Sequence, residues 1–504
     1  MPLQNCSLRA LSIALLILGI ITYAEHIGLG QTRDDATASS VDDFYRDDEV
    51  QLVYLSIAPQ DLQRMQAALP ERISVNGSFQ WRNITIDNVA IRFKGNSSSG
   101  PTQQHKRSYL IKFNDSDSNQ RFLGLRRVSF DNGVQFGSLF SEPIITDILR
   151  DQGIPTHRCN YAKLYLNGEY QGIYGNVERI DESFIANFLP DVNGQLFKVD
   201  EGGPGGNLQL LGEGPSAYGK AFEPETKSAR KSQQDLVDFI RWINQSNASA
   251  FATQFDEKFE SEDFLRVTAV MLFAGAFDQL TGWNPHNYYL YRDGKHDRWR
   301  YLPWDLDVGF CEVAFGQIRV LDEWNAAWPL AGQLPNPLLE RIVADPNLLA
   351  RYRAEATHIL DRYFEPEILC AKLDAKYALI REDLKTDPFP HRRITNPADR
   401  GYDDIIVSMK AFTRKRYALA REQLANPGPR PEVSHPPQGP SPQFMEKVQR
   451  VQKAAEAMAR DGKDTSPIQK LMQRVGPLVQ LGKIGDAEKL LNQALALAAE
   501  VPDK

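Results

Sequence analysis

The periodicity of apolar residues changes once along this chain, and that change restricts the fold more than any other feature. Residues 51–57 have the composition of a strand, and residues 84–93 alternate apolar and polar side chains, the period of two that a half-buried strand requires. Beyond residue 228 apolar residues recur at helical spacing, as in 232–244 and 261–278. Strands followed by helices predict an α+β protein.

The remaining elements follow the same division. An Asn167-Gly168 dipeptide joins two strand-like runs and predicts a hairpin with a tight turn. Ser261 is expected to cap the helix that it begins, with Glu262 and Asp263 in the first turn. Other predicted elements are helices over 59–69, 138–151, 181–188, 348–363, 368–384 and 405–424, and strands over 109–113, 161–166, 170–174, 287–292 and 299–302.

The first 24 residues have the pattern of an export signal. Arg9 precedes a mostly apolar run over residues 10–24, which is long enough for the core of a signal peptide and short for a membrane-spanning helix. Residues 22–24 form an imperfect cleavage site, so a cleaved signal and an uncleaved membrane anchor both stay open. We expect an exported protein, in the periplasm, at the cell surface or secreted.

Composition excludes several classes of protein. The net charge is −7 and no long basic block occurs, which argues against nucleic acid as a partner. Of the four cysteines, Cys6 lies in the predicted signal, so the other three allow one disulfide at most. The chain is therefore not a disulfide scaffold.

The order of segments predicts five regions. A signal peptide or anchor (1–24) and an acidic linker (25–48) precede the main domain, which we place at 49–425. Residues 426–443 contain seven prolines and are expected to be a stiff linker. Residues 444–504 carry only helical patterns and predict a small all-α appendage, part of which resembles half of a tetratricopeptide-like helix pair.

A small, polar segment follows the predicted strand over 84–93. Gly95, Asn96, Ser97 and Ser98 lie in it. Backbone N–H groups of such a loop can approach a phosphate group, although the segment alone is also typical of an ordinary turn.

Two lysines come next, Lys106 and Lys112. A lysine on the strand after a phosphate-binding loop can reach phosphate oxygens, whereas the usual position of a strand lysine is on a solvated face. Glu178 follows the predicted hairpin and could pair with either lysine, or form an ordinary surface pair.

Asp278 lies where the helical pattern over 261–278 gives way to a loop. A carboxylate there can accept the proton of a hydroxyl group, and an amide a few residues later, Asn284 or Asn287, can bind a metal ion. The separations of six and nine residues approximate the spacing of about five in the kinase catalytic loop. A structural role is favoured for His286, over a general acid–base role.

Asp305 and Asp307 lie two residues apart in an apolar setting that includes Tyr301 and Trp304. On an extended chain both carboxylates would point to one face. Two carboxylates so placed repel each other unless a cation lies between them, and oxygen ligands suit Mg²⁺ or Mn²⁺. A surface acidic pair is the alternative, which the apolar neighbours disfavour.

Taken together, these segments resemble the family of CotH (spore coat protein H) kinase-like proteins over about residues 49–424. The resemblance is carried by Arg-Phe-Lys-Gly-Asn-Ser-Ser (92–98), residues 106–113, Ala-Lys-Leu-Tyr-Leu-Asn-Gly-Glu-Tyr-Gln-Gly-Ile-Tyr (162–174), Glu178, Leu-Phe-Lys (196–198), Asn-Tyr-Tyr-Leu-Tyr (287–291) and Leu-Pro-Trp-Asp-Leu-Asp (302–307).

The resemblance implies an atypical, two-lobed protein-kinase-like fold that binds ATP with Mg²⁺ or Mn²⁺ and transfers the γ-phosphoryl group to Ser or Thr of a protein substrate. It also implies roles for individual residues: Asp278 as the catalytic carboxylate, Asp305 or Asp307 with Asn287 as metal ligands, Lys106 or Lys112 on the phosphates, Glu178 positioning that lysine, Phe197 beside the adenine, and Lys198 with the loop at Gly95 near the nucleotide.

This sequence departs from the family pattern at Lys94, where the family usually has Arg, so the charge is kept and the bidentate fork is lost. A non-catalytic surface or adhesion module on the same fold is the main alternative function. A metal-dependent hydrolase is disfavoured because no histidine-rich two-metal set occurs among the eight histidines. The protein substrate and the oligomeric state stay open, and a membrane contact is expected only through an N-terminal anchor.

Overall fold

A computed structural model describes residues 39–95, 106–133, 138–200, 205–219, 221–283, 285–316, 318–331, 335–389, 396, 399–431, 442–480 and 484–499. The chain divides into two units, residues 1–44 and Tyr45–Lys504. In the first unit the structure describes one short helix, α1 (Val41–Phe44).

Seven strands of the second unit form a sheet that closes on itself in the order β1-β2-β3-β4-β5-β7-β6, with β6 parallel to β1. These strands are β1 (Gln51–Ile57), β2 (Val75–Trp81), β3 (Ile84–Lys94), β4 (Ser108–Lys112), β5 (Arg127–Asp131), β6 (Cys159–Leu166) and β7 (Glu169–Val177). Strand β1 shows why the pattern works, since Val53, Leu55 and Ile57 are buried and Leu52 and Ser56 are exposed.

The predicted hairpin at residues 167–168 is present as β6 and β7. Asn167 and Gly168 both have positive φ, of 52° and 84°, as the two central residues of a type I′ turn require. The Asn167 side chain also accepts a hydrogen bond from the Ile57 N–H (2.8 Å) and donates one to the Ile57 carbonyl (2.9 Å). The turn therefore also fixes the end of β1 against the hairpin.

A second sheet has the order β11-β10-β8-β9, and β12 and β13 form a separate two-stranded ribbon. Their bounds are β8 (Gln195–Val199), β9 (Glu223–Pro224), β10 (Tyr288–Asp293), β11 (Arg298–Pro303), β12 (Val313–Ala314) and β13 (Ile318–Arg319). The largest apolar cluster of the described residues joins this sheet to the helices around it.

Helices dominate the second half of the chain, as the periodicity predicts. The helices of the second unit are α2 (Pro59–Ala68), α3 (Ser141–Asp151), α4 (Glu182–Phe188), α5 (Lys227–Lys231), α6 (Gln234–Gln245), α7 (Ala248–Lys258), α8 (Ser261–Ala274), α9 (Val320–Glu323), α10 (Pro337–Ala344), α11 (Pro346–Tyr363), α12 (Pro366–Leu384), α13 (Tyr402–Ala425), α14 (Pro442–Arg460), α15 (Ser466–Gln480) and α16 (Ile484–Ala499), with a short 3-10 helix at Pro215–Ala217.

Helix α8 ends earlier than the prediction, which extended it to Asp278. Gly275 adopts a left-handed conformation (φ 65°) directly after Ala274, and its N–H bonds back to the carbonyls of Leu272 and Met271. Ser261 is the first helical residue and not the cap, a position that Glu260 takes. Because the helix ends early, Asp278 lies in the loop after it and lines the cavity described below.

The last three helices, α14 to α16, pack through an apolar cluster of their own that includes Val451, Ile468 and Leu491. The α+β class with a small all-α end is therefore confirmed, while the domain boundaries stay predictions. Among the described residues, no helix combines the length and apolar character needed to cross a membrane.

Candidate functional site

A cavity of about 590 Å³ lies where the closed sheet, the second sheet and the start of α3 meet. Its walls come from β3, β4, β5 and β7 on one side, and from the loops after α8 and β11 on the other. The second sheet contributes the end of β8. The cavity therefore collects residues that are up to 243 positions apart, from Arg72 to Phe315.

Asp305 and Asp307 line this cavity directly after β11. The chain is not extended there, contrary to our assumption, because Asp305 has a left-handed backbone (φ 56°) that a residue with a side chain adopts only at a cost. The surrounding structure fixes the turn. Phe310 N–H donates to the Ala274 carbonyl (2.7 Å), and a Cβ on Gly309 would lie only 2.7 Å from that oxygen.

Asp278, His286 and Asn287 form a second polar group on the same cavity. The Asn287 amide donates to the Asp278 carboxylate and carbonyl, each at 3.2 Å, and His286 Nε2 lies 3.3 Å from the carboxylate. Asn287 is itself left-handed (φ 55°), and its carbonyl accepts a hydrogen bond from the Trp304 N–H (3.0 Å). That bond joins the loop of Asp278 to the segment of Asp305.

The two aspartates carry perturbed acidities. The pKa of Asp305 is raised from 3.8 to about 7, mainly by burial and also by the negative charges of Asp131, Glu142 and Asp278, while the charge of Lys94 opposes the rise. Burial and the neighbouring Asp305 raise the pKa of Asp307 well above its usual range. Several carboxylates therefore lie close enough together to raise the pKa of Asp305 and of Asp307.

Cationic side chains line the same cavity from β3, from the segment just after β7 and from β8. Arg92, Lys94, Arg179 and Lys198 all line the cavity. Lys94 at the end of β3 pairs with Asp131 at the end of β5, two strands along the sheet, and Lys198 pairs with Asp200 at 2.6 Å. Burial lowers the pKa of Lys198. This wall suits a ligand that carries several negative charges.

Arg179 is a basic residue of this wall with an unsatisfied donor. Its guanidinium lies 4.8 Å from the centre of the Trp304 ring, so the ring holds it in place. Its Nε is buried and has no hydrogen-bond partner within the described residues. Because a buried, unsatisfied donor is costly, an anionic ligand would satisfy it.

Neither predicted phosphate-binding lysine lies at the cavity. Lys106 is completely buried, donating to the Asp387 carboxylate (2.7 Å) and the Ile173 carbonyl (2.6 Å). Lys112 is exposed at the other end of β4 and pairs with Asp115 at 2.7 Å. Ser108 and Leu110 of β4 line the cavity, and Lys112, which has the same alternation but is the last residue of the strand, does not.

Glu178 and Phe197 also differ from their predicted roles. Glu178 is buried against Arg158, accepting from the Arg158 Nε (2.8 Å) and N–H (3.0 Å), and does not contact either lysine. Phe197 is buried in the main apolar core beside Trp299, because successive residues of β8 point to opposite faces. Its neighbour Lys198 faces the cavity instead.

Gly95 lines the cavity with a φ of 91°, and its carbonyl accepts a hydrogen bond from Arg72 (3.0 Å). The predicted phosphate-loop residues Asn96, Ser97 and Ser98 lie outside the described residues, and so does Asn284.

Sequence reasoning missed Asp131 and Glu142, which contribute two further carboxylates to the cavity. Asp131 ends a short strand, and Glu142 lies in the first turn of α3, where an acidic residue is ordinary. Neither position carries a local signal, because the cavity forms only when distant strands pair.

The donor set fits a hard divalent cation. Asp278, Asn287, Asp305 and Asp307 offer only oxygen ligands, which Mg²⁺ and Mn²⁺ prefer. Within the part of the chain that the structure describes, no three His, Cys, Asp or Glu side chains already surround a metal position. In proteins, Mg²⁺ typically takes one or two carboxylates and completes its shell with water and phosphate oxygens.

Fold and site thus define an α+β protein with a cavity lined by carboxylate, amide and basic side chains. Comparison with known proteins gives the family. The sequence profile of the family described as CotH kinase protein matches residues 91–419. Inner spore coat protein H of Bacillus subtilis (strain 168) is 23% identical over 341 residues, which cover 67% of this chain and 89% of that protein. The chain belongs to the CotH family.

Proposed function

We propose that this protein is an exported kinase of the CotH type, which binds ATP with a divalent metal and phosphorylates Ser or Thr of a protein. One observation carries the proposal: a single cavity brings Asp278, Asn287, Asp305 and Asp307 opposite the basic wall of Arg92, Lys94, Arg179 and Lys198. Family membership supports the kinase-like character. The two-lobed kinase-like arrangement and the export are parts of the same proposal.

In this proposal Asp305, Asp307 and Asn287 hold Mg²⁺ or Mn²⁺. The metal would neutralise charge on the phosphate oxygens of ATP as it does in other phosphoryl transfers. The raised pKa of Asp305 supports this assignment, because such a carboxyl is stabilised in its charged form when a cation binds.

The basic wall would bind the phosphate groups. Arg179 offers its unsatisfied Nε, and Lys94 and Lys198 lie in ion pairs that a phosphate could join or replace. The proposal transfers the phosphate role from Lys106 and Lys112 to these residues.

Asp278 is the proposed general base. Its carboxylate is partly exposed to the cavity (27%) and is held by Asn287 and His286. The acceptor oxygen would attack the γ-phosphorus, the bond from that phosphorus to the bridging oxygen of ADP would break, and Asp278 would take the hydroxyl proton.

The test is calorimetry of ATP binding to the chain from residue 25 onward, with and without Mg²⁺ or Mn²⁺. We compare the wild type with Asp305→Asn, and with Asp115→Asn as a control for a carboxylate paired on the surface. Metal-dependent binding that is lost only in Asp305→Asn supports the proposal, and transfer of labelled γ-phosphate to a protein acceptor completes it. If the folded wild type does not bind ATP, the proposed kinase activity is contradicted, and the alternative of a non-catalytic surface module is favoured.

A further inference from the structure

One buried polar pair at the edge of the cavity has no part in the proposed chemistry. His157 lies between α3 and β6 and is fully buried, and its Nε2 is 2.8 Å from Oε1 of Glu142. Glu142 is 5% exposed and lines the cavity from the first turn of α3. A buried carboxylate is costly unless hydrogen bonds satisfy it, so the imidazole has a definite task.

The surroundings of His157 fix its ring. The ring centre lies 4.9 Å from that of Trp304, the residue that immediately precedes Asp305. A carboxylate can only accept, so the tautomer of His157 that satisfies Glu142 carries its hydrogen on Nε2. The other ring nitrogen, Nδ1, is buried without a hydrogen-bond partner among the described residues. The His157 ring is therefore held by its hydrogen bond to Glu142 and its contact with the Trp304 ring.

Glu142 also contacts the backbone of residues 305–307, the segment that carries the proposed metal ligands Asp305 and Asp307. The same Oε1 lies 3.5 Å from the N–H of Leu306, which is between Asp305 and Asp307. A second link is parallel to it: the Ser138 N–H donates to the Asp307 carbonyl (3.0 Å), and Ser138 Oγ accepts from the Ser141 N–H (3.2 Å) at the start of α3. The start of α3 thus holds the backbone of residues 305–307 at two points.

We propose that His157 is a positioning residue, which orients Glu142 and thereby fixes the segment from Asp305 to Asp307 in its left-handed turn. The predicted effect on metal binding rests on the proposed function, whereas the effect on the backbone of that segment does not. His157 contributes no negative charge to the site, so replacing it changes the geometry and keeps the number of carboxylates.

The test uses the full chain with three substitutions. His157→Phe keeps a ring against Trp304 and removes the donor, and His157→Gln supplies an amide N–H that can replace it. Thr146→Val is the matched control, because Thr146 is equally buried on α3 and donates to the backbone carbonyl of Glu142 (2.8 Å) without touching residues 305–307. His157→Met, which also lacks a donor, replaces the Phe variant if that variant does not fold.

Two measurements are made on each protein: hydrogen exchange of the peptide that covers residues 304–308, and Mn²⁺ binding followed by electron paramagnetic resonance. We expect His157→Phe to accelerate exchange in that peptide and to weaken Mn²⁺ binding about tenfold or more, as loss of an outer partner of a metal ligand does. His157→Gln should recover most of both effects, and Thr146→Val should show neither.

Unchanged exchange in His157→Phe, or an equal change in Thr146→Val, would overturn the proposal. A wild type that does not bind Mn²⁺ would count against the proposed function alone, since the exchange measurement still decides whether His157 positions the segment.

Discussion

Replacing Asp305 by Asn should make the metal-free protein more stable at pH 8, although it removes a proposed metal ligand. Asp305 lies half-buried among carboxylates, and its pKa is raised from 3.8 to about 7. The folded state therefore holds a proton on this group that the unfolded state has released between about pH 4 and pH 7. Stability must fall as the pH rises through that range, by at most about 1.4 kcal/mol per pH unit for one group.

The rise from 3.8 to about 7 corresponds to an upper limit of about 4 kcal/mol for ionising Asp305 in the folded state. The side chain is only half-buried and its neighbours titrate with it, so we expect about 1–3 kcal/mol. Asn has a similar shape and no charge, and it avoids this cost.

The assay is thermal unfolding of the wild type and of Asp305→Asn in chelator-treated buffers from pH 4 to pH 8.5. We expect the two proteins to converge near pH 4 and the variant to unfold at a temperature roughly 1–4 °C higher at pH 8. Mg²⁺ should raise the unfolding temperature of the wild type and leave that of the variant unchanged. A variant that is less stable at pH 8, or a difference that does not depend on pH, would refute the reasoning.

Three further predictions test other parts of the structure. Lys106→Met should destabilise the fold by about 3–5 kcal/mol in denaturant unfolding, because it leaves the Asp387 carboxylate buried without its cation. The ATP affinity of the folded fraction, measured by calorimetry, should not change. Gly309→Ala should lower the free energy of unfolding by about 2 kcal/mol or more, because φ is 130° and the added Cβ would lie 2.7 Å from the Ala274 carbonyl oxygen. It should also slow any phosphoryl transfer. Denaturant unfolding and a phosphoryl-transfer assay measure the two effects. Arg179→Met should weaken ATP binding about tenfold or more by calorimetry and leave Mn²⁺ binding alone within twofold.

Much of the fold follows from local patterns. The strand β1, the hairpin at Asn167-Gly168 and the long helices α11 to α13 were predictable, because their periodicity and turn residues act over a few neighbouring positions. The strands β2, β5 and β8 were missed. Their sequences are short, and their stability comes from pairing with distant strands rather than from their own propensity.

The candidate site divides in the same way. Asp278, Asn287, Asp305 and Asp307 could be selected from sequence because acidic and amide residues stand out beside buried elements, and the structure brings all four to one cavity. Their roles as ligands and base stay predictions. The positions of Lys106 and Lys112 could not be predicted, because both have the same alternation as Ser108 and Leu110, which line the cavity. A lysine such as Lys106 also gives no sequence sign of its buried partner Asp387.

The positions of Lys106 and Lys94 show why charge alone is a poor guide to a phosphate site. Both are lysines near the candidate phosphate loop, and both are paired with an aspartate. Lys106 is sealed from solvent with its partner, so an incoming anion cannot reach it without breaking a buried ion pair. Lys94 remains 16% exposed, opposite Asp305 and beside the cavity, so a phosphate group can share its charge. Under the proposed function, access to the cavity and a partner that a ligand can replace therefore make Lys94 the candidate phosphate-binding lysine and Lys106 a structural one.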